Sequence, residues 1–374
     1  MTSKLQAISS IALGKTYELS LVKTYVASWG LAQAVRELIQ NALDSDSPFV
    51  YEFRENDGAF SLWLNSEYSV LTPQSLLLGA TSKAESETAI GSFGEGYKIA
   101  LLVLTRLGYP VDILNGDLRW APRFRMSRVF GEEVLVIDET WLGDRSHKGL
   151  TFRVSGLSAD DVESIKASCI RMQDSVGAIK RTMYGDILLD QPGMLYVGGL
   201  FICNTELTYG YNILPKFIKL ERDRQTVDSY DLRDTTLKMW YDTKEFDKVA
   251  LMISEEIPDV EYARYGSPEL VKEECYKIFR RNNPDAIIAS SPEDMKRKID
   301  AGMTKTVYVG AIMYDVVSNA TSYKSETKHL MKVAIAPHVA MAAFLSAHRD
   351  EMRRPAIVAF KALILEAQAK WVSK

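Results

Sequence analysis

Hydrophobic and polar positions near the N-terminus follow two different periods, which together predict alternating helices and strands. A helical period runs from residue 19 to about residue 46, with its apolar positions on one side. Two runs of strand character then flank an Asp-Gly turn, which predicts a β-hairpin over residues 49–54 and 60–64. A short helix is expected over 72–78, and a longer one from about residue 94 to 107.

Short apolar runs in the next part of the chain indicate strands that follow one another closely. They cover residues 110–114, 124–129, 134–137 and 150–154. Helices before and between strands that can pair in antiparallel order favour an α+β fold. The expected architecture is a two-layer α/β sandwich rather than a doubly wound parallel sheet, and we assign it to residues 1–155.

A second, smaller α/β unit is expected over residues 156–245. A Ser-x-x-Asp capping pattern at Ser158 predicts a helix over 158–172. Residues 195–202 predict one strand that contains Gly198-Gly199. The helix and the strand together suggest a second α/β unit.

The third expected domain, residues 246–374, is a mixed and largely helical region. Its Ser-Pro-Glu patterns predict helix starts near residues 268 and 292, on either side of a short strand at 286–289. The tail over 328–374 predicts two helices that break near Arg354-Pro355.

Composition and charge narrow the classes of function. The 374 residues carry a formal net charge of -4, which argues against a wholly basic nucleic-acid surface and leaves nucleic acid open as a partner. Cys169, Cys203 and Cys275 form no C-x-x-C pair, which indicates a reducing compartment and no structural zinc. Because the sequence has no signal-peptide core and no long apolar run, we expect a cytoplasmic protein without a transmembrane segment.

The first candidate chemistry lies on the helix predicted over 19–46. Glu37, Asn41 and Asp44 are spaced i, i+4 and i+7, so they fall within an arc of about 60°. A solvated helix face has the same pattern. As a functional site, the Asn41 carbonyl oxygen suits a Mg²⁺ ion that keeps most of its waters, and Glu37 suits deprotonation of a water that attacks a γ-phosphate. Asp44 is a candidate for the outer shell of that ion.

The second candidate is a glycine-rich stretch that leads into the helix ending near residue 107. Its residues are Gly91, Ser92, Phe93, Gly94, Glu95, Gly96, Tyr97 and Lys98. Glycines let backbone N–H groups approach an anion, and the following helix adds its positive dipole end. Lys98 can place a cation on a phosphate. The stretch is neither a Walker motif nor a Rossmann fingerprint, and alone it also fits a flexible glycine loop.

The order of the two motifs resembles that of the GHKL ATPases. This superfamily includes type II topoisomerase ATPase subunits, MutL, ATP-dependent heat-shock chaperones, histidine kinases and MORC proteins. Residues 36–45 resemble the family's N-box, and residues 91–98 resemble its glycine-rich lid box. Thr81, Ser82 and Lys83 are similar to a segment of the MutL lid. The resemblance covers about residues 20–155.

The resemblance implies a Bergerat fold that binds ATP and Mg²⁺, followed by a transducer-like domain. It implies that Glu37 is the general base, that Asn41 is the metal ligand, and that the backbone of residues 94–97 holds the phosphates. It also implies a homodimer formed on nucleotide binding. In GHKL ATPases a basic residue of the next domain reaches the γ-phosphate, and Arg222 and Arg224 are the candidates here. A surface charge run is the other interpretation of these arginines.

Two positions depart from the family pattern and concern the nucleotide base. Asn65 stands where the family has an Asp that reads the adenine amino group, and the glycines after it are missing. An Asn carbonyl still accepts that hydrogen bond, but without charge. The family's late Gly-Thr pair is Gly149-Leu150-Thr151 here, so the Thr151 hydroxyl is displaced by one position and faces the other way on a strand.

The favoured function is a slow, Mg-dependent ATPase whose nucleotide-ordered lid, at about residues 79–92, drives conformational change or dimerisation. Asn65 and Leu150 motivate the alternative, an interaction module with degenerate hydrolysis. A DNA-processing role similar to that of MutL lacks an obvious nuclease metal motif. The Gly198-Gly199 strand and the later Leu-Glu-Arg-Asp-Arg run resemble rIIA-like bacteriophage proteins, which implies a phage or host protein partner in the host cytoplasm.

Overall fold

The computed structural model describes residues 14–45, 47–77, 96–143, 147–220, 226–303, 305–334 and 336–372. Its internal contacts divide the chain into two units. The first comprises residues 1–179, 185–205 and 210–228, and the second comprises 180–184, 206–209 and 229–374. The division into three domains at residues 155 and 245 stays a prediction.

Within the described residues, the first unit contains a large antiparallel sheet of seven strands. The strands are β1 (Thr16–Val22), β2 (Val50–Asn56), β3 (Ala59–Ser66), β4 (Val111–Asn115), β5 (Leu118–Met126), β6 (Glu133–Trp141) and β7 (Leu150–Leu157). Their order across the sheet is β1-β6-β5-β4-β7-β3-β2. β2 and β3 form the expected hairpin, whose turn residues Asp57 and Gly58 have positive φ angles of 50° and 80°.

Helices α1 (Leu31–Leu43), α2 (Gly96–Leu107) and α3 (Ala159–Ala167) share the hydrophobic core with this sheet. Leu38 and Ile39 of α1 and Leu101 and Leu104 of α2 are fully buried in it. α3 begins with the expected capping box at Ser158, whose hydroxyl accepts a hydrogen bond from the Asp161 N–H. The fold is therefore mixed α+β, with helices packed on an antiparallel sheet.

Several element boundaries differ from those expected. The helical prediction from residue 19 is wrong over its first part, because Leu19 and Leu21 are buried positions of strand β1 and α1 begins only at Leu31. The predicted helix over 158–172 ends at Ala167 and is followed by a 3₁₀ turn. The strand predicted at 124–129 lies earlier, in β5. This strand includes Pro122, which lies beyond the residues of β5 that pair with β4.

A second, smaller sheet follows in the first unit. Its strands are β9 (Gly185–Leu188), β10 (Met194–Val197), β11 (Leu200–Asn204) and β12 (Gly210–Ile213), in the order β11-β10-β12-β9, and they follow β8 (Ile179–Thr182). β10 and β11 form a hairpin in place of the single strand expected over 195–202. Gly198 and Gly199 form its turn with φ angles of 59° and 87°, which an uninterrupted strand does not accommodate.

The second unit is mainly helical. Its helices are α4 (Ser229–Asp242), α5 (Phe246–Ser254), α6 (Glu269–Asn282), α7 (Pro292–Asp300), α8 (Ala311–Val317), α9 (Thr321–Ala334), α10 (Pro337–Ala347) and α11 (Arg354–Val372). The short strands β13 (Ile287–Ala289) and β14 (Thr306–Tyr308) pair in parallel around α7. In the tail, α10 ends at Ala347 and α11 begins at Arg354, which confirms the helix break expected near Arg354-Pro355. Pro355 lies in the first turn of α11, where a proline is tolerated.

Candidate functional site

Helix α1 carries the first motif, and Glu37 of that motif is buried inside the protein. Glu37 has no solvent-exposed surface, although it belongs to the polar side of the helix. A solvated helix face therefore does not describe this residue. The Arg36 guanidinium, itself almost fully buried, lies 3.5 Å from the Glu37 carboxylate. Burying a carboxylate is costly unless it is paired, and this ion pair offsets part of that cost.

Asn41 lies one turn after Glu37 and has a fixed side-chain orientation. Its amide nitrogen Nδ2 donates a 2.7 Å hydrogen bond to the backbone carbonyl of Glu37. Because only the NH₂ group can donate to a carbonyl, this bond defines which end of the amide is the oxygen. The carbonyl oxygen Oδ1 therefore points away from the helix backbone. Asp44 follows at the C-cap of α1 and is half-buried.

Helix α2 packs against α1, and its first turn contains the last residues of the glycine-rich motif. Gly96, Tyr97 and Lys98 are all buried there. The Tyr97 hydroxyl donates to the Ser75 carbonyl at 2.6 Å, and burial raises the pKa of Tyr97 to about 12. The Lys98 ammonium donates to the Leu77 carbonyl. These bonds join the start of α2 to residues 75–77, which directly precede 78–95.

The large sheet has a face that packs on the helices and a face that points away from them. Leu62 and Leu64 of β3 belong to the core that contains α1. Successive side chains of a strand point to opposite faces, so Trp63 and Asn65 lie on the other face. The Arg153 guanidinium stands 5.3 Å from the Trp63 ring, across the directly paired position of β7. Thr151, two residues earlier on β7, shares that face.

Asn65 and Thr151 are directly paired and hydrogen-bonded to each other. The Thr151 hydroxyl donates to Asn65 Oδ1 at 3.0 Å, and it lies 2.7 Å from His147 Nε2. A hydroxyl has one proton to donate, so Thr151 accepts the hydrogen bond from His147. Burial lowers the pKa of His147, which favours its neutral form. The structure thus brings Asn65 and Thr151 together, on the sheet face opposite to α1.

On the helix-facing side, the paired residues at the same end of these strands are Ser66 and Leu150. Both are buried, and Leu150 belongs to the core shared with α1. The sequence interpretation did not single out Ser66. The alternation Leu62, Leu64, Ser66 is the signal that places it on the buried face of β3.

Gly149 lies where the start of β7 passes very close to the backbone of Ser66 and Glu67 at the end of β3. Its φ angle is +78°, and a Cβ atom added there would lie 2.5 Å from the Glu67 carbonyl oxygen and 2.6 Å from that of Ser66. Both facts require glycine. The Gly149-Leu150-Thr151 segment is therefore held with Leu150 inward and Thr151 outward.

Several predicted site residues lie outside the described part of the chain. They are Thr81, Ser82, Lys83, Gly91, Ser92, Phe93, Gly94, Glu95, Arg222 and Arg224. The described residues contain no group of three or more His, Cys, Asp or Glu side chains that could hold a metal ion together. Over the same part of the chain, no helix combines the length and apolar character needed to cross a membrane.

Comparison with known proteins gives one distant relative and no family. No protein-family model matches the chain. The chain is similar to an uncharacterized protein of Mycoplasma pneumoniae, with 26% identity over 241 residues. The match covers 58% of this chain and 94% of the relative. It indicates common ancestry, and the relative's name carries no information on activity.

Proposed function

We propose that this protein binds a Mg-bound nucleoside triphosphate in the manner of GHKL ATPases and hydrolyses it slowly. The observation that supports the proposal most is the placement of Glu37 and Asn41. Glu37 is fully buried one turn before Asn41, on a helix that packs against the helix in which the glycine-rich motif ends. A general base and a metal ligand for phosphoryl transfer need this spacing on a rigid element.

The donor chemistry of Asn41 fits Mg²⁺. Its Oδ1 is a neutral, hard oxygen whose direction is set by the hydrogen bond from Nδ2 to the Glu37 carbonyl. Magnesium bound there would neutralise charge on the phosphates. Glu37 would orient and deprotonate the attacking water, and its burial would keep other water away from that proton transfer.

The residues expected to recognise the nucleotide base do not lie beside the proposed phosphate site. Asn65 and Thr151 lie on the sheet face away from α1, so they do not join Glu37 and Asn41 in one pocket. Ser66 and Leu150 occupy the helix-facing positions, and neither carries a charge. We therefore propose a site that selects the triphosphate and Mg²⁺ strongly and adenine weakly. Nucleotide-driven dimerisation and an rIIA-like role with a phage or host partner remain predictions of the resemblance.

One feature of the site favours a second function, a nucleotide-binding interaction module with little or no hydrolysis. The Arg36 guanidinium lies 3.5 Å from the Glu37 carboxylate and forms an ion pair with it. A carboxylate oxygen that is engaged in an ion pair is less available to orient an attacking water. In this second proposal the nucleotide would act as a structural ligand, and turnover would be absent while binding remained.

Turnover and binding of Mg·ATP, measured on the same preparations, test the first proposal. We expect slow Mg-dependent hydrolysis that falls at least tenfold in Glu37→Gln, while binding changes less than about threefold. Glu55→Gln, which changes an exposed carboxylate of β2, is the matched control and should behave as wild type. Equal turnover in wild type and Glu37→Gln would exclude Glu37 as the base. Binding without turnover in wild type would support the second function.

A further inference from the structure

The C-terminal helices α10 and α11 form an apolar hairpin with very little buried surface. They pack through one side of α11, where Ile357, Phe360 and Ile364 are half-buried, and the Phe344 and Phe360 rings lie 5.8 Å apart. Among the described side chains of the two helices, only Leu345 is buried. Two helices need a larger shared apolar core than this to be stable in water.

A second apolar stripe runs along the outer side of α11. It consists of Val358, Ala362, Leu365 and Ala369, at successive spacings of four, three and four residues. Val358 is 68% exposed and Leu365 is 66% exposed. The stripe points away from the side that packs on α10, because the two sets are offset by about 140° around the helix. Alternation of three and four residues is the spacing of a coiled-coil seam.

One basic and one acidic residue flank this seam, and their positions are complementary to those on a second copy of α11. Lys361 lies on one edge of the seam and Glu366 on the other, five residues later. The Glu366 carboxylate also accepts a 2.7 Å hydrogen bond from Lys370 of its own helix, so a pair with Lys361 of another copy would share it. In a parallel pair of identical helices, residues with this relationship face each other across the seam, Lys361 of each copy beside Glu366 of the other. In an antiparallel pair, like edges meet, and Lys361 would face Gln368. The charges therefore favour a parallel arrangement of two copies.

We propose that the outer seam of α11 binds the same seam of a second copy of this chain, in parallel. The contact would bury Val358 and Leu365 of both copies at a two-fold axis and form two equivalent Lys361–Glu366 ion pairs. It would require no nucleotide, so it is independent of the function proposed above. A small polar face also argues against a membrane surface as the occupant, since surface-bound helices carry a strongly basic one.

The mass of the full-length protein in solution without nucleotide is the first test. Light scattering coupled to size exclusion should give twice the chain mass of 42.0 kDa. Leu365→Asp places two carboxylates at the two-fold axis and should raise the dimer dissociation constant on the order of a hundredfold or more. Leu363→Asp is the matched control, because Leu363 is 47% exposed on the same helix but lies off the seam.

Charge exchange is the second test and reports the orientation of the helices. Lys361→Glu alone and Glu366→Lys alone should each weaken the dimer by roughly tenfold, because each replaces two attractive pairs by two repulsive ones. The double variant should restore affinity to within about threefold of wild type. In an antiparallel dimer the single changes would not meet their partners, and the double variant would restore nothing.

Circular dichroism of each variant checks that the helices are retained. A monomeric wild type at about 100 μM would overturn the proposal, as would a dimer that Leu365→Asp and Leu363→Asp weaken equally. Binding of the monomer to vesicles of anionic phospholipid, lost in Leu365→Asp, would assign the seam to a membrane surface and also overturn it.

Discussion

The Thr151 hydroxyl donates a 3.0 Å hydrogen bond to Asn65 Oδ1 between directly paired residues of β7 and β3. The bond lies on the face of the sheet that points away from α1. It therefore separates the two residues that the GHKL resemblance connects with the nucleotide base from the two proposed to act on the phosphates. Glu37 and Asn41 lie together on α1. We therefore expect substitutions of Asn65 and Thr151 to leave phosphate binding unchanged, and substitutions of Glu37 and Asn41 to affect it.

Asn65→Asp restores the acidic residue of the GHKL pattern, and we expect no gain in adenine selectivity. The side chain is directed at Thr151 and not toward α1. The ratio of ATP to GTP affinity, measured by calorimetry, should stay within about threefold of wild type. Ser66→Asn is the matched change on the helix-facing side and should alter that ratio. A tenfold or larger preference for ATP in Asn65→Asp would show that Asn65 reaches the base.

Thr151→Val should destabilise the protein without affecting the phosphate site. The substitution removes the hydroxyl that Asn65 and His147 share at a buried position, so both lose a hydrogen-bond partner. We expect the free energy of unfolding, from urea denaturation, to fall by about 1–3 kcal/mol. Thr140→Val, at an exposed position of β6, is the control. Equal effects of the two substitutions would contradict the assigned hydrogen bonds.

Gly149→Ala should be among the most destabilising single changes in the first unit. The Cβ would meet the backbone oxygens of Glu67 and Ser66 in addition to the strain of a positive φ. Gly58 has a φ of +80° with nothing within 4 Å of its Cβ, so Gly58→Ala isolates the conformational strain. We expect a loss of about 1 kcal/mol at Gly58 and about 3 kcal/mol or more at Gly149. Similar losses at both positions would show that the close approach is absent.

Asp294 in the second unit should give the protein an acid-sensitive stability. Its buried carboxylate accepts hydrogen bonds from Lys298, Arg297 and the Ser290 N–H. Chiefly the Lys298 ammonium, and then the Arg297 guanidinium, hold its pKa well below the usual range. A carboxylate with a lowered folded-state pKa contributes stability above its unfolded pKa, and this contribution is lost as the pH falls below about 4.

Asp294→Asn should therefore lower stability at pH 6 and reduce its further loss between about pH 4 and 2. Circular dichroism of the acid-induced transition measures this effect. Asp300→Asn changes an exposed carboxylate on the same helix and should leave the transition at its wild-type position. A transition of unchanged shape in Asp294→Asn would contradict the role of this carboxylate.

The sequence predicts the elements with strong local signals and misses those that depend on pairing. The hairpin of β2 and β3 follows from Asp57-Gly58, and α3 follows from the capping pattern at Ser158. β1 was missed because Leu19 and Leu21 also fit the helical period that continues into α1. The β10–β11 turn at Gly198-Gly199 was missed because a short apolar run on both sides suggested one strand.

Within the candidate site, helix spacing alone identifies Glu37 and Asn41 as neighbours, since i, i+4 places them one above the other. It does not predict that Glu37 is fully buried, because burial depends on the packing of α1 against α2 and the sheet. The face on which Asn65 lies depends on the register of β3 in the sheet. A shift of one residue along a strand exchanges its faces, which is why Ser66 and not Asn65 points toward the helices.

Calorimetric titration of ATP, with Mg²⁺ and with EDTA, tests the central claim of a Mg-bound triphosphate site on α1. Wild type should bind ATP at least tenfold more tightly with Mg²⁺ than with EDTA. Asn41→Ala should lose most of that difference while keeping its binding in EDTA, because only the metal ligand is removed. The claim is contradicted if wild type shows no binding at millimolar ATP, or if Asn41→Ala retains the full Mg²⁺ dependence.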